Sequence, residues 1–229
     1  MPRATGWERL ESEIISCTRC PRLRTYCRNV AREKKREFRE EEYWGRPVPG
    51  FGDHSARVWI FGLAPAAHGA NRTGRMFTGD SSGNWLYKAL YETGFANQPT
   101  SVHVEDGLKL TDVYISASAR CAPPDNKPTK EEIENCSTYL DAEWSLLKRK
   151  KIFVALGAIG YDSLWKLLKA KGVALPKKKP KFKHGLVVPL GEYEIRASYH
   201  PSRQNTNTGL LTWPMWVGLF KGIRQALAP

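Results

Sequence analysis

Four short apolar runs, each followed by a polar segment, constrain the fold of this chain more than any other feature. The runs at 57–62, 112–116 and 151–157 are nearly continuous apolar stretches, and the fourth lies at 193–200. Such runs are typical of strands buried on both faces of a parallel sheet. Strands alternating with helices predict an α/β fold. Helical spacing predicts those helices at 7–17, 82–94, 129–150, 158–172 and 212–227.

The composition indicates one packed domain over residues 1–229. Hydrophobic residues make up 41% of the sequence, and the charged segments at 31–53 and 176–185 have the character of a connector and a loop. No stretch reaches the roughly 18 apolar residues that span a bilayer, and the N-terminus lacks the apolar core of a signal peptide. We therefore expect a cytoplasmic protein.

The net charge of +13 favours a polyanionic partner, most simply a nucleic acid. The alternative is a solvated surface that only keeps the protein soluble. A membrane surface is disfavoured, because no segment combines strong amphipathicity with a basic face. The charge therefore points to nucleic acid without locating the binding surface.

Three polar loops follow three of the predicted strands. They lie at 62–80, 118–128 and 200–209, and they are rich in Gly, Pro, Asn and charged residues. Ligands of parallel α/β sheets bind outside the carboxyl ends of the strands. The sequence therefore predicts a binding site where these three loops meet.

The spacing of the cysteines suggests a metal site. Cys17 and Cys20 form a C-x-x-C pair, whereas Cys121 and Cys136 lie at a strand end and within a helix. Four thiolates suit zinc or a 4Fe-4S cluster, and the absence of a second C-x-x-C favours the cluster. The alternative is that the later pair is merely buried and apolar. Cys27 is not an expected ligand, although an exchange with Cys20 is conceivable.

Five ordered motifs between residue 17 and about 212 resemble those of uracil-DNA glycosylases of the iron–sulfur type, most closely the family 5 branch. The resemblance implies a single-domain, three-layer α/β/α fold with a central four-stranded parallel sheet. It also implies a 4Fe-4S cluster on Cys17, Cys20, Cys121 and Cys136. The motifs are CTRCPRLR, YWGRPVPGFGD, GLAPAAHGANRTGRMFTGDSSG, RCAPPDNKPTKEEIENC and HPSRQNTNTG.

Removing uracil requires a flipped base and a broken N-glycosidic bond, which places specific demands on a pocket. Phe77, beside a Gly-rich turn, is the expected stacking face, and its alternative role is a core residue. In the resembled family, the His at the position of His200 donates a hydrogen bond to uracil O2 as negative charge develops. Asp80 is expected to orient water or offset positive charge on the sugar, and the alternative is a helix cap.

Further candidates for base binding come from the same loops. His68 is a candidate for contact with the base or the water. The sister family has Glu and Asn where this chain has Leu63 and Ala117, so a less polar and less selective pocket is expected. Asn126 is a candidate to supply an amide instead. We therefore expect activity on hypoxanthine as well as uracil. The full set of expected base-binding residues is Gly62, Ala64, Phe77, Asn126 and His68.

The last polar loop is expected to enter the minor groove of DNA, with Leu210 or Leu211 as a wedge in the gap left by the flipped base. The alternative is an ordinary surface loop. The side chains expected to contact phosphates are Arg72, Arg75, Ser202, Arg203, Gln204 and Asn205.

The expected partner is single- or double-stranded DNA with deaminated bases, bound by a monomer, and a sliding clamp remains a candidate partner. The main alternative is a non-catalytic nucleic-acid-binding module with a four-cysteine metal site. That alternative does not explain why three polar loops follow separate strands and together offer Phe, Asp and His. A metal-dependent hydrolase is disfavoured, because the sequence shows no His and carboxylate cluster at ligand spacing.

Overall fold

The computed structural model describes residues 5–228 and contains a six-stranded sheet with helices on both faces. The strands are β1 (Phe51–Gly52), β2 (Val58–Gly62), β3 (Val113–Ala117), β4 (Ile152–Leu156), β5 (Leu186–Leu190) and β6 (Tyr193–Ser198). The helices are α1 (Gly6–Ile15), α2 (Pro21–Glu33), α3 (Ala70–Thr73), α4 (Ser81–Glu92), α5 (Lys130–Leu146), α6 (Ala158–Ala170), α7 (Arg203–Asn207) and α8 (Trp213–Ala226).

The strand order is β1-β3-β2-β4-β6-β5. The four predicted strands β3, β2, β4 and β6 pair in parallel, which confirms the α/β prediction. The predicted number of four strands is too small, because β1 and β5 add an antiparallel edge on each side. These edges have weak sequence signals. β1 is two residues long, and β5 carries Pro189 and two exposed positions.

Both faces of the sheet are covered, which explains why its inner strands are continuously apolar. In β2, Val58 and Ile60 belong to a core shared with α4 and α8. Trp59 and Phe61 belong to a second core on the opposite face, shared with α5 and α6. Alternating side chains thus meet helices on both faces, the arrangement expected for a parallel sheet.

Local signals account for most helix ends. The predicted Thr cap is present: Thr129 Oγ1 accepts from the Glu132 backbone N, and the Glu132 carboxylate accepts from the Thr129 backbone N at 2.7 Å.

The helix α2 was not predicted, and its last residues occupy part of the predicted 31–53 connector. Its sequence is strongly charged and buries only Leu23, Arg24 and Cys27, although Pro21 marks its first turn.

The topology fixes where a ligand can bind. From β2 the chain passes to β3 on one side and then crosses to β4 on the other. This reversal is a topological switch point, and it opens a crevice between the carboxyl ends of β2 and β4. The loop after β2 and the start of α6 border that crevice. Among residues 5–228, none of the helices has the length and apolarity to span a bilayer.

A buried ion pair ties the chain after β3 to α5. Arg120 and Glu143 are 1% and 0% exposed, and Arg120 Nη2 lies 2.6 Å from Glu143 Oε2. Tyr114 donates its hydroxyl proton to the other carboxylate oxygen at 3.0 Å. The pair therefore joins the segment that carries Cys121 to the helix that carries Cys136.

Replacing Glu143 by Ala should lower the free energy of unfolding by about 3–5 kcal/mol, because it leaves the Arg120 charge buried without a partner. Urea unfolding followed by circular dichroism measures the loss. Glu33→Ala is the control, since its contact with Arg32 at 3.7 Å is exposed and should contribute less than about 1 kcal/mol. Equal losses in the two variants would contradict the assignment.

Candidate active site

A cavity of about 760 Å³ lies at the carboxyl edge of the parallel strands. Small-ligand sites typically have this size. The cavity receives residues from the loops after β2, β3, β4 and β6 and from the segment after α2. Candidate residues on its wall are Leu63, Ala64, His68, Phe77, Asp80, Ala117, Asn126, His200, Ser202 and Arg203. The predicted convergence of polar loops is thus present in the fold.

Phe77 is held with an unusual backbone at the cavity wall. Its φ is +54°, a left-handed conformation that non-Gly residues seldom adopt. A Cβ on Gly83 would lie 1.7 Å from the Phe77 carbonyl oxygen, and a Cβ on Gly62 would lie 3.1 Å from the ring. Gly62 therefore supports the Phe77 ring and is not itself part of the cavity wall. Without a side chain at Gly83, α4 can approach the Phe77 backbone, and without one at Gly62, β2 can approach the ring.

The ring of His200 lies beside that of Phe77, with centroids 5.8 Å apart and planes 28° from parallel. Asn205 Nδ2 donates to the His200 carbonyl oxygen at 2.8 Å and so fixes the backbone at the end of β6. Burial lowers the pKa of His200 to about 4. The imidazole is therefore neutral at physiological pH and keeps one N–H to donate.

Asp80 caps a helix, as one of its two expected roles requires, and it also lines the cavity. It is the N-cap of α4, and its Oδ1 accepts from the Gly83 backbone N at 2.8 Å. Its carboxyl group also lines the cavity. Burial raises the pKa of Asp80, although the hydrogen bond from Gly83 opposes the rise. A Cβ on Gly69 would lie 2.3 Å from Asp80 Oδ2, so this glycine leaves room for the second oxygen.

His68 faces the cavity and is fixed from behind. Its Nδ1 lies 3.1 Å from the Tyr43 hydroxyl group. Burial and the positive charge of Lys35 lower the pKa of His68. A neutral imidazole held in this way can offer a polar atom to a bound base or water.

The amide candidate after β3 also reaches the cavity. Asn126 and its neighbour Asp125 both have positive φ, at +56° and +53°, within a tight turn. Ala64, Leu63 and Ala117 line the cavity beside it. Asn126 is thus a polar side chain against a largely apolar part of the wall.

Two arginines of the first loop differ from the prediction that they contact phosphates. Arg72 and Arg75 are 6% and 3% exposed. Arg72 pairs with Glu41 and donates to the Gly79 carbonyl oxygen at 2.9 Å. Arg75 pairs with Asp106 at 2.7 Å. Partial burial alone would raise the pKa of Asp106, but hydrogen bonding to Arg75 lowers it to about 2. The sequence shows the cations but not their distant acidic partners, and both guanidinium groups brace the loop.

The loop after β6 contains exposed and internal positions. Arg203 and Gln204 are exposed on the short helix α7, whereas Ser202 caps that helix by accepting from the Asn205 backbone N. Arg203 also lies at the cavity mouth. Of the two predicted wedge residues, Leu211 is buried in the core, and Leu210 is 49% exposed. Of the positions in this loop that were predicted to contact DNA, Arg203, Gln204 and Leu210 are therefore the exposed ones.

Sequence reasoning missed two parts of the wall. One is the segment 34–43, which we call the strap, and which lines the cavity with Lys35, Glu37 and Phe38. Its charged sequence gives no signal of a site. The other is the start of α6, from Gly157 to Gly160. This part could have been found, because it follows a parallel strand at the same sheet edge as the other loops.

The five cysteines are all free thiols, and four of them are buried. Cys27 and Cys121 are in contact, and their hydrogen bond raises the pKa of Cys121 and lowers that of Cys27. Burial raises the pKa of Cys20, and it raises the pKa of Cys136 to about 11. The negative charges of neighbouring predicted ligands add to both increases. Among residues 5–228, no three His, Cys, Asp or Glu side chains are grouped closely enough to hold a single metal ion.

Comparisons with known proteins agree with this arrangement. Residues 49–219 match the model of the uracil DNA glycosylase superfamily. The chain is 47% identical over 218 residues to a type-5 uracil-DNA glycosylase of Mycobacterium tuberculosis, covering 94% of this chain and 80% of the relative. It is 48% identical to a type-5 enzyme of Thermus thermophilus, covering 89% and 90%. A type-4 uracil-DNA glycosylase of Pyrobaculum aerophilum is 30% identical, covering 85% and 82%. This chain belongs to the uracil-DNA glycosylase superfamily.

Proposed function

We infer that this DNA N-glycosylase, which excises uracil in DNA repair, performs the reaction in the cavity beside Phe77, Asp80 and His200. The observation that carries this assignment is that Phe77 and Asp80 from the loop after β2 and His200 from the loop after β6 line one cavity at the switch point of the sheet. The cavity is large enough for one flipped nucleotide. An extruded base can enter it with its face on Phe77.

The chemistry follows from the charges that develop. The bond between C1′ of the sugar and the base breaks with its electron pair on the base, so the base departs as an anion and the sugar becomes cationic. Water then adds to C1′. One of its hydrogens stays in the new C1′ hydroxyl group, and the other is released as a proton that neutralises the departed base, which leaves an abasic site. A neutral His200 can donate its N–H to the base carbonyl where negative charge accumulates.

Asp80 is the carboxylate on the opposite side of this charge separation. In its ionised form it stabilises the cationic sugar and accepts a hydrogen bond from the attacking water. The low-polarity surroundings that raise its pKa also strengthen its electrostatic effect on the sugar. The cap bond to Gly83 holds the carboxylate in one orientation.

Replacing Asp80 by Ser should separate capping from catalysis. Serine is also a good N-cap, so the free energy of unfolding should change by less than about 1 kcal/mol. Uracil excision should nevertheless slow by at least roughly 100-fold. In the wild type, the rate should fall with decreasing pH around a pKa above the ordinary carboxyl value of 3.8. Single-turnover reactions, each followed by alkaline cleavage of the abasic sites, measure the excision rate and its pH dependence. An active Asp80→Ser protein would exclude a catalytic Asp80.

We further propose that the pocket accepts more than one deaminated base. Leu63, Ala64 and Ala117 supply apolar wall where a selective site would place hydrogen-bonding groups. A largely apolar site discriminates weakly between bases of related shape. Asn126 and His68 are the polar side chains proposed to contact the base.

Hypoxanthine should therefore be excised no more than roughly 100-fold more slowly than uracil. The measurement compares single-turnover rates on duplexes that differ only in the damaged base. The Asp80→Ser protein and an undamaged duplex serve as controls. Strict specificity for uracil would contradict a permissive pocket, and binding without release of any base would instead favour the non-catalytic alternative.

A 4Fe-4S cluster is the proposed cofactor, held by Cys17, Cys20, Cys121 and Cys136. The residues present fit an anionic group bound to thiolates. Asn135 Nδ2 donates to Cys20 Sγ at 3.6 Å, and Arg24 Nη1 donates to Cys121 Sγ at 3.8 Å. The buried Nε and Nη1 atoms of Arg120 lack hydrogen-bond partners, and its positive charge lowers the pKa of Cys136 against the effect of burial. When bound, the cluster would join the chain after α1 to that after β3 and to α5.

Cys121→Ser should lose the visible absorption and the bound iron of protein purified without oxygen, because it removes one ligand. Cys27→Ser should retain about four iron atoms per chain, since Cys27 is the fifth cysteine. Iron analysis and absorption spectra distinguish the two variants. A colourless wild type that holds zinc, or a cluster lost only in Cys27→Ser, would contradict the ligand set.

The remaining expectations stand as proposals with their own support. Arg203 and Gln204 are proposed to contact phosphates of single- or double-stranded DNA, and Leu210 is proposed as the wedge, because these side chains are exposed beside the cavity. We also propose that residues 1–229 form one domain that acts as a monomer in the cytoplasm. A sliding clamp is a further proposed partner.

A further inference from the structure

The strap, residues 34–43, is a closed loop built against the active site. It begins where Lys34 takes a φ of +53° and ends α2. Lys34 Nζ then donates to the Arg39 carbonyl oxygen at 3.0 Å. At its far end, the Tyr43 hydroxyl accepts from the Lys35 backbone N at 3.2 Å. These bonds close the loop on itself and define where Lys35 stands.

One buried side chain also joins the strap to the loop after β2, which carries Asp80. Arg72 forms an ion pair with Glu41, and its guanidinium lies 3.8 Å from the centre of the Phe38 ring. The same guanidinium donates to Gly79, the residue before Asp80. The strap and the loop that presents Asp80 therefore share one support, which favours a role for the strap in the site.

A pair of opposite charges stands on the cavity side of the strap. Lys35 Nζ lies 2.8 Å from Glu37 Oε1, and both side chains line the cavity. The hydrogen bond to Lys35 is the main cause of the lowered pKa of Glu37, and the positive charge of Arg203 contributes. Lys35 also lowers the pKa of His68. Glu37 therefore lies within electrostatic range of two cations that line the same cavity.

We propose that Lys35 binds a phosphate of the nucleotide that enters the cavity, and that Glu37 occupies Lys35 until that phosphate replaces it. This inference rests on the proposed excision of a flipped nucleotide. A flipped nucleotide brings its flanking phosphates to the mouth of the pocket, where Lys35 and Arg203 lie. The Lys35–Glu37 pair is about half exposed, and such a pair is weak enough for a phosphate to displace. An ammonium group suits this exchange because it recognises phosphate as a point charge.

The first test measures binding of Lys35→Ala to a duplex with a stable abasic-site analogue and to the same duplex undamaged. Fluorescence anisotropy at several salt concentrations gives the dissociation constant and its salt slope. For the abasic duplex, the dissociation constant should rise roughly three- to tenfold and the salt slope should fall by about one. The undamaged duplex should show neither change, and Lys35→Arg should restore most of the loss.

The second test removes the competing carboxylate. Glu37→Gln should tighten binding of the abasic duplex, and the gain should vanish in the Lys35→Ala background, because Glu37 acts through Lys35. Glu33→Gln is the control for the loss of one exposed negative charge, and Lys166→Ala is the control for the loss of one exposed positive charge. Both controls should leave the difference between the two duplexes unchanged.

Two results would overturn the proposal. One is an unchanged salt slope in a folded Lys35→Ala protein, and the other is an equal effect of Lys35→Ala on both duplexes. Thermal unfolding of each variant verifies that it is folded, and Lys35→Arg reports on the charge even where the alanine protein is unstable. Single-turnover uracil excision by the wild type tests the proposed function separately. An active wild type with an unaltered Lys35→Ala slope would refute only the role of the strap.

Discussion

The proposed active site depends on how closely α4 approaches the loop that precedes it. A side chain on Gly83 would collide with the Phe77 carbonyl oxygen, and one on Gly69 would collide with the carboxylate of Asp80. The same turn forces Phe77 into a left-handed conformation that costs of order 1–3 kcal/mol and persists only because its surroundings fix it. Two glycines thus place the stacking ring and the carboxylate, and the start of α4 supplies the hydrogen bond that orients Asp80. The contact that caps α4 therefore also orients the carboxylate that is proposed to act in catalysis.

Burial then gives this geometry its chemistry. It favours the neutral form of every group, so it lowers the pKa of His200 and raises that of Asp80. A neutral His200 can donate to the departing base without carrying a full charge into the pocket. The proposed mechanism requires an ionised Asp80, and the helix-cap bond from Gly83 favours that form against the effect of burial. The same burial therefore supports the proposed role of His200 and opposes that of Asp80.

The sequence predicted the parts of the fold that have strong local signals. Continuous apolar runs identified the four parallel strands, and the carboxyl-end rule located Phe77, Asp80, Asn126 and His200 in one place. The edge strands were not predicted, because β1 has two residues and β5 carries a proline and exposed positions. The place of the strap in the cavity wall was not predicted, because no sequence signal near Lys35 indicates that it faces a cavity. Its position is set by Arg72, whose partner Glu41 lies 31 residues earlier in the chain.

The arginines show why charge alone cannot locate a DNA-binding surface. A net charge of +13 favours a polyanion, yet Arg72, Arg75 and Arg120 are almost fully buried and paired with acids. Such buried cations position loops, and a phosphate could reach them only by breaking pairs whose loss would destabilise the fold. The cations at the cavity mouth, Lys35 and Arg203, are exposed, and a phosphate can reach them without disturbing the core. The proposed phosphate contacts therefore fall on cations that the fold leaves exposed, and the buried Arg72 holds the strap that presents Lys35.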